Sequence, residues 1–250
     1  MTPSQGATVI FGGTGGIGSA LARRLAASGQ PLVLVARGRE RLDALGAELG
    51  AELGALAIGA DATDPAAVAE AFAQASQRFG RISAVAHCVG SILLKPADRT
   101  SDAEWDDTLR LNLTSAFYVV RGAARAMRGS GGAVVLLSSA AARVGLPNHE
   151  AIAAAKAGII GLTLSAAASY AREGIRVNCV APGLVATPLA QRVTSSKPAL
   201  EASIALHPLG RIGNPDEVAA AIAWFLDPAQ SWVTGQVLGV DGGLGSVRTR

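Results

Sequence analysis

Short runs of aliphatic and β-branched residues alternate with longer stretches rich in Ala and Leu along the whole chain. The apolar runs predict strands at residues 8–11, 32–36, 55–59, 84–88, 133–138, 176–180 and 237–240. Several are unbroken apolar runs rather than alternating ones, as expected of strands buried on both faces of a parallel sheet. The stretches between them predict helices at 17–28, 40–49, 65–79, 102–127, 151–173, 200–206 and 215–226. This order predicts a Rossmann-type α/β fold, a doubly wound parallel sheet of about seven strands with right-handed crossovers. No repeat, low-complexity tract or linker divides the chain, so residues 1–250 read as a single domain. Residues 194–198, with Ser and Pro, read as a mobile loop.

Composition narrows the possibilities. Half of the 250 residues are hydrophobic and only 4% are aromatic, so the core must be aliphatic. The net charge of +3 is small and dispersed, which argues against a nucleic-acid partner. The basic tail at Arg248 and Arg250 reads as a solvated end. Cys88 and Cys179 belong to no C-x-x-C pair and no His/Cys cluster, so free thiols are expected and no metal site. The first residues, Met-Thr-Pro-Ser-Gln, lack a basic n-region and a cleavage site, and a cytoplasmic location is expected. The uncharged stretch 157–171 is shorter than the ~20 residues a bilayer span needs and contains hydroxyls. It reads as a buried helix, and no membrane partner is expected.

The chemistry begins at the end of the first strand. Gly12-Gly13-Thr14-Gly15-Gly16-Ile17-Gly18 leads directly into a helix. Glycines there allow a tight turn and close approach of a pyrophosphate to the helix N-terminus, where free N–H groups and the dipole stabilise negative charge. The second strand then distinguishes the two nicotinamide dinucleotides. An NAD site usually presents an acid there to the ribose 2′-hydroxyl. This chain presents Ala36-Arg37-Gly38-Arg39, with a guanidinium suited to a 2′-phosphate, so NADP(H) is expected in preference to NAD(H).

With these residues in place the chain resembles the short-chain dehydrogenase/reductase family over nearly its whole length. Gly12, Gly16, Ile17 and Gly18, with Thr14 between them, match its glycine motif, and Asp61-Ala62 stands where the family has an Asp-Val pair at the adenine. Asn112, Ser139 and Lys156 match the family's helix asparagine, catalytic serine and catalytic lysine. The segment from Ala181 through Pro182, Gly183, Leu184, Val185 and Ala186 to Thr187 matches the loop that holds the nicotinamide carboxamide. Residues 210–218 and 234–243 match the C-terminal signature. The resemblance implies a cofactor cleft, an active-site region over 138–156 and a substrate lid over about 187–210.

Two departures stand against these matches. The family's Asn-Asn-Ala-Gly motif appears as His87-Cys88-Val89-Gly90, keeping only Gly90. The family's acid/base tyrosine, four residues before the lysine, is replaced by Ile152. Isoleucine cannot exchange a proton, and losing a general acid typically removes ~10²–10⁴-fold of rate. His149, seven residues before Lys156, shares a face with Ile152 and Lys156 if a helix starts there, with Asn148 as its cap. A helix N-terminus disfavours imidazolium, so a neutral, hydrogen-bond-donating His149 is expected. The alternative is that His149 is a loop residue beside the substrate mouth. His87 and His207 have weaker claims, one at a strand end and one in the lid region.

Two readings follow. One is an NADP(H)-dependent oxidoreductase acting on a small carbonyl or alcohol substrate with altered acid/base chemistry. The other is a catalytically weak or inactive NADP(H)-binding protein, a sensor or the silent partner in an oligomer. Ala154, Ala155, Gly158 and Gly161 would let a helix pack closely, and the resemblance implies a homo-oligomer, a tetramer or a dimer, paired through it.

Overall fold

The computed structural model describes residues 6–49 and 54–248. Arg250, at the basic tail, lies outside the described residues. Seven strands form one sheet in which every pairing is parallel: β1 (Ala7–Phe11), β2 (Leu32–Ala36), β3 (Leu56–Gly59), β4 (Ile82–His87), β5 (Gly132–Leu137), β6 (Ile175–Pro182) and β7 (Val237–Val240). Their order is β3-β2-β1-β4-β5-β6-β7. The direction of winding reverses between β1 and β4, the place where doubly wound sheets open a crevice at the carboxyl ends of their strands. The Rossmann-type α/β fold expected from the alternation of apolar runs is the fold observed.

The helices are α1 (Gly16–Ala26), α2 (Arg39–Glu48), α3 (Pro65–Phe79), α4 (Asp102–Leu109), α5 (Ser115–Ala126), α6 (Glu150–Tyr170), α7 (Gln191–Thr194), α8 (Lys197–Leu206) and α9 (Pro215–Leu226). Two aliphatic cores cover the sheet. One packs α3, α5 and α6 against alternate residues such as Val9, Phe11, Val85 and Val177. The other packs α1, α2 and α9 against Ile10, Leu34, Ala86 and Val180. Consecutive strand residues therefore enter opposite cores, which explains why the strands read as unbroken apolar runs.

Several expectations are corrected. The stretch 102–127 is not one regular helix. A π-turn over Arg110–Thr114 separates α4 from α5 and carries Asn112. α6 begins at Glu150, and His149 is its cap residue rather than part of its first turn. Asn148 does not cap the helix; it adopts a positive φ of 63° in the turn before it. Residues 194–198 are not one open loop, because Lys197 and Pro198 already belong to α8, and proline tolerates this first turn, where its missing N–H costs nothing. Finally, α6 is buried on one face only, with Ala154, Ala157, Gly161 and Leu164 exposed. The helical segment Glu150–Glu173 is long and apolar enough to cross a membrane by composition, yet Ala155, Lys156 and Ile159 turn into the core against β6.

Candidate active site

The crevice at the carboxyl ends of β1 and β4 is assembled by close backbone approach. Gly12 has φ 77°, and a Cβ on it would lie 2.8 Å from the Cys88 carbonyl. A Cβ on Gly18 would collide with the Gly12 carbonyl, so the turn from β1 into α1 admits only glycine at both positions. Gly15 is the cap residue of α1 and supplies no side chain to the free N–H groups of the first turn, which also holds no acid. An anion is the natural partner of such a helix end. A Cβ on Gly16 would fall 2.6 Å from Thr187 Cγ2, which places the glycine turn directly beside the loop that follows β6.

That second loop is fixed by its own pairings. Pro182 ends β6, Val185 is buried and bridges to Gly213, and Gly213 exchanges backbone hydrogen bonds with Leu184 and Ala186. Thr187 turns its hydroxyl back to accept the Ala190 N–H at 3.3 Å. At the other end of the crevice, Asp61 follows β3 and one carboxyl oxygen accepts both the N–H and the hydroxyl of Thr63, at 2.8 and 2.9 Å. The Thr63 N–H holds that carboxyl below the usual carboxylate range. Ala62 is buried beside it. Arg37, past the end of β2, is exposed and has no ion-pair partner among the described residues, whereas Arg39 is engaged by Asp43 at 3.0 Å. Arg41, which the sequence did not single out, lies over Gly38, where a Cβ would be 3.3 Å from its Nε. A dinucleotide's phosphates and ribose fit this cradle of glycines, free N–H groups and exposed arginines.

The reactive groups gather at the far end of the same crevice. A Cβ on Gly90 would lie 3.0 Å from Asn112 Oδ1 and 3.3 Å from Lys156 Nζ, so Gly90, Asn112 and Lys156 converge on one point. Lys156 Nζ donates to the Leu137 carbonyl at 3.0 Å. Burial pulls its ammonium down to about 8, from an ordinary 10.5, against weaker opposing pulls from Cys179 and Cys88. Ser138, another residue the sequence did not flag, donates its hydroxyl to the Lys156 carbonyl at 2.8 Å and ties β5 to α6. Asn112 is wholly buried in the π-turn. Its amide donates to the Thr108 carbonyl at 2.9 Å and to Ser91 Oγ at 2.8 Å, and its oxygen accepts the Ser91 N–H at 3.0 Å. Ser91 therefore fixes the amide's orientation. A lone serine in a loop carries no sequence signal of that.

Ser139, two residues past the end of β5, is partly exposed, its Oγ accepting the Ala141 N–H at 3.2 Å. Ile152 is buried on α6, one turn before Lys156. His149 sits at the entrance of the helix, partly exposed, and its Nδ1 lies 2.7 Å from the Pro147 carbonyl. Because a carbonyl only accepts, Nδ1 carries a proton and donates it to the turn before the helix. The neighbouring turn is pinned to the loop after β4 by the Lys95 N–H, which donates to the Asn148 carbonyl at 2.8 Å. His87 lies below this group rather than in the crevice. It is wholly buried beneath the crevice, with Nε2 2.9 Å from Ser115 Oγ. The two cysteines are free, as expected, and burial pushes the Cys88 thiol up to about 12. No cluster of metal-ligating side chains occurs among the described residues.

A crevice floored by glycines at the switch point, with a buried lysine and asparagine at its far end, defines a dinucleotide-dependent oxidoreductase fold. A family described as "Enoyl-(Acyl carrier protein) reductase" matches residues 12–245. The chain is 35% identical to D-threitol dehydrogenase of Mycolicibacterium smegmatis over 94% of its own length and 91% of the relative's. It superposes on a short-chain type dehydrogenase/reductase from Mycobacterium ulcerans with a TM-score of 0.93 and 32% identity, covering 99% of this chain and 92% of that one. An actinorhodin polyketide ketoreductase solved with NADPH gives 0.90 and 30%, over 99% and 100% of the two chains. The chain belongs to the short-chain dehydrogenase/reductase family, whose members are oxidoreductases that bind a nicotinamide cofactor and act on alcohol or carbonyl substrates.

Proposed function

We propose that this protein is an NADP(H)-dependent oxidoreductase of a small alcohol or carbonyl compound, working without the family's tyrosine. Ile152 in the tyrosine's position, beside an otherwise intact Asn112, Ser139 and Lys156, carries this reading. Arg37 and Arg41 would hold the ribose 2′-phosphate, and the N–H groups of the first turn of α1 the pyrophosphate. Asp61 and Ala62 would flank the adenine, and the loop from Pro182 through Gly183 and Val185 to Thr187 would seat the nicotinamide. The bound nicotinamide supplies or takes the hydride at the substrate carbon.

The residues around that carbon then divide the remaining work. The Ser139 hydroxyl is free to donate to a substrate oxygen, because its hydrogen bond to Ala141 uses only a lone pair. The Lys156 ammonium, poised by burial near pH 8, contributes positive charge beneath the reacting centre. His149, in its neutral form, would offer Nε2 to accept a proton from an alcohol. In oxidation His149 would accept the alcohol proton, and in reduction the same residue would return it. Ordinary ketone substrates should turn over slowly, since no buried acid stands beside the developing alkoxide.

The test begins with calorimetric titration of NADPH and NADH. NADPH should bind more tightly, and Arg37→Ala should weaken NADPH while leaving NADH nearly unchanged; tighter NADH binding would sink the cofactor assignment. Ile152→Tyr should then raise reductase turnover by the ~10²–10⁴-fold a general acid supplies. His149→Ala should abolish alcohol oxidation with NADPH binding intact. Robust oxidation that survives His149→Ala excludes histidine as the base. Tight binding with no turnover on any alcohol or carbonyl, in the wild type and in Ile152→Tyr alike, supports the silent NADP(H)-binding reading instead.

A further inference from the structure

α8 buries none of its residues, yet His207, the residue that ends it, is 4% exposed. Its ring makes two hydrogen bonds. Nδ1 lies 2.6 Å from the Ser203 carbonyl, and Nε2 accepts the Leu184 N–H at 3.1 Å. The carbonyl can only accept and the amide can only donate, so the imidazole is neutral with its proton on Nδ1. One side chain thereby ties the last turn of α8 to the loop that follows β6. Gly183 leaves the room for it, since a Cβ there would fall 2.5 Å from His207 Nε2. A third segment closes around the same point. The Leu209 N–H donates to the Gly242 carbonyl at 3.0 Å, and Asp241, beside it, accepts the N–H groups of Gly243 and Gly245.

We infer that His207 is a positioning residue that clamps α8 onto the loop after β6 and so sets where the nicotinamide end of the cofactor rests. The inference rests on the proposed reading of that loop as the nicotinamide seat. α8 has no fully buried side chain, only Ala199, Leu200, Ser203 and Ile204 half-buried, so the buried residue at its end adds the one deeply seated contact of the segment. Without the imidazole, the Leu184 N–H loses its partner, and α8 and the loop can move independently. The adenosine end of the cleft, at Arg37 and Asp61, shares none of these contacts. Loss of the clamp should therefore be felt at one end of the cofactor only.

Three variants separate the clamp from general packing. His207→Phe fills the space and removes both hydrogen bonds. His207→Asn keeps a donor near Nδ1 and loses the acceptor. His207→Gln places an amide oxygen where Nε2 stood, within reach of the Leu184 N–H. NADPH, followed by its nicotinamide fluorescence, and adenosine 2′,5′-bisphosphate, which lacks the nicotinamide half, are titrated against each. The Phe and Asn variants, both without an acceptor for the Leu184 N–H, should bind NADPH about tenfold more weakly and adenosine 2′,5′-bisphosphate as the wild type does. The Gln variant should recover most of the NADPH affinity. If the Phe variant fails to fold, the Asn and Gln pair still decides the matter. NADPH affinity indifferent to His207, or equal losses for both ligands, overturns the clamp. A wild type that binds neither ligand overturns the cofactor reading and the clamp with it.

Discussion

His87 shows how one residue can be misplaced by its chemistry and explained by its surroundings. As a histidine at a strand end near the crevice it invites a catalytic role. It is instead sealed in the core, where the Ser115 hydroxyl, itself donating to the Leu111 carbonyl at 2.6 Å, can only accept from Nε2–H. Among the described residues Nδ1 has no partner. Burial, reinforced by the nearby Lys156 charge, brings the imidazole down to about 3 from its ordinary 6.5. Below pH 6.5 the unfolded chain takes up a proton that the folded chain refuses, so folding stability is complete above that pH and falls as pH drops toward 3. His87→Asn, which restores the family's residue type, should flatten this acid limb. Urea midpoints measured from pH 7 to pH 4 should fall less steeply in the variant than in the wild type; parallel curves would exclude His87 as the group responsible.

At the scale of elements, the junction of α6 with the π-turn decides where Asn112 stands. Gly158 faces Leu113, and a Cβ there would meet Leu113 Cδ2 at 2.7 Å, whereas a Cβ on Gly161 would meet nothing within 4 Å. Two glycines one turn apart on one helix therefore have different work. Gly158→Val should overpack the junction, cost about 1–3 kcal/mol and lower Tm by several degrees. Gly161→Ala should raise stability by roughly 0.5–1 kcal/mol through helix propensity alone. Differential scanning fluorimetry distinguishes the two, and a stable Gly158→Val would show that the π-turn yields freely. The sequence could not place this junction. The apolar spacing of 102–127 suits one continuous helix, and a single wide turn leaves no mark on it. The glycine turn and Lys156 were legible because each sits in a local motif whose spacing is its geometry. Ser91 and the His207 clamp were not, because their partners, Asn112 and Leu184, are distant in sequence. The small residues of α6 were ambiguous for another reason: alanine and glycine suit an inner and an outer helix face equally well.

At the scale of the molecule that ambiguity resolves into a division of α6. Ala155 and Gly158 pack within their own subunit, while Ala154, Ala157, Gly161 and Leu164 face outward, and Leu164 is 51% exposed. Phe117, 46% exposed, lies on α5, which packs beside α6. Trp224 on α9, Leu238 on β7 and the almost fully exposed Trp232 are further large apolar side chains left in water. We propose that the α6 side and the tryptophan side are each covered by a second copy of the chain. Two isologous faces generate a tetramer with dihedral symmetry, and one generates a dimer. Sedimentation at micromolar concentration should therefore find a homotetramer. Gly161→Arg introduces a charge into space that is open within the subunit, and arginine favours helix over glycine, so the fold should survive while the first interface is lost. Its product should be a dimer held by the tryptophan face, and Trp232→Ser should give the complementary dimer. Combining the two should give a monomer with an unchanged circular dichroism spectrum. A wild type that already sediments as a monomer would mean that neither face is an interface with a second copy, and would leave the exposed tryptophans to a different partner.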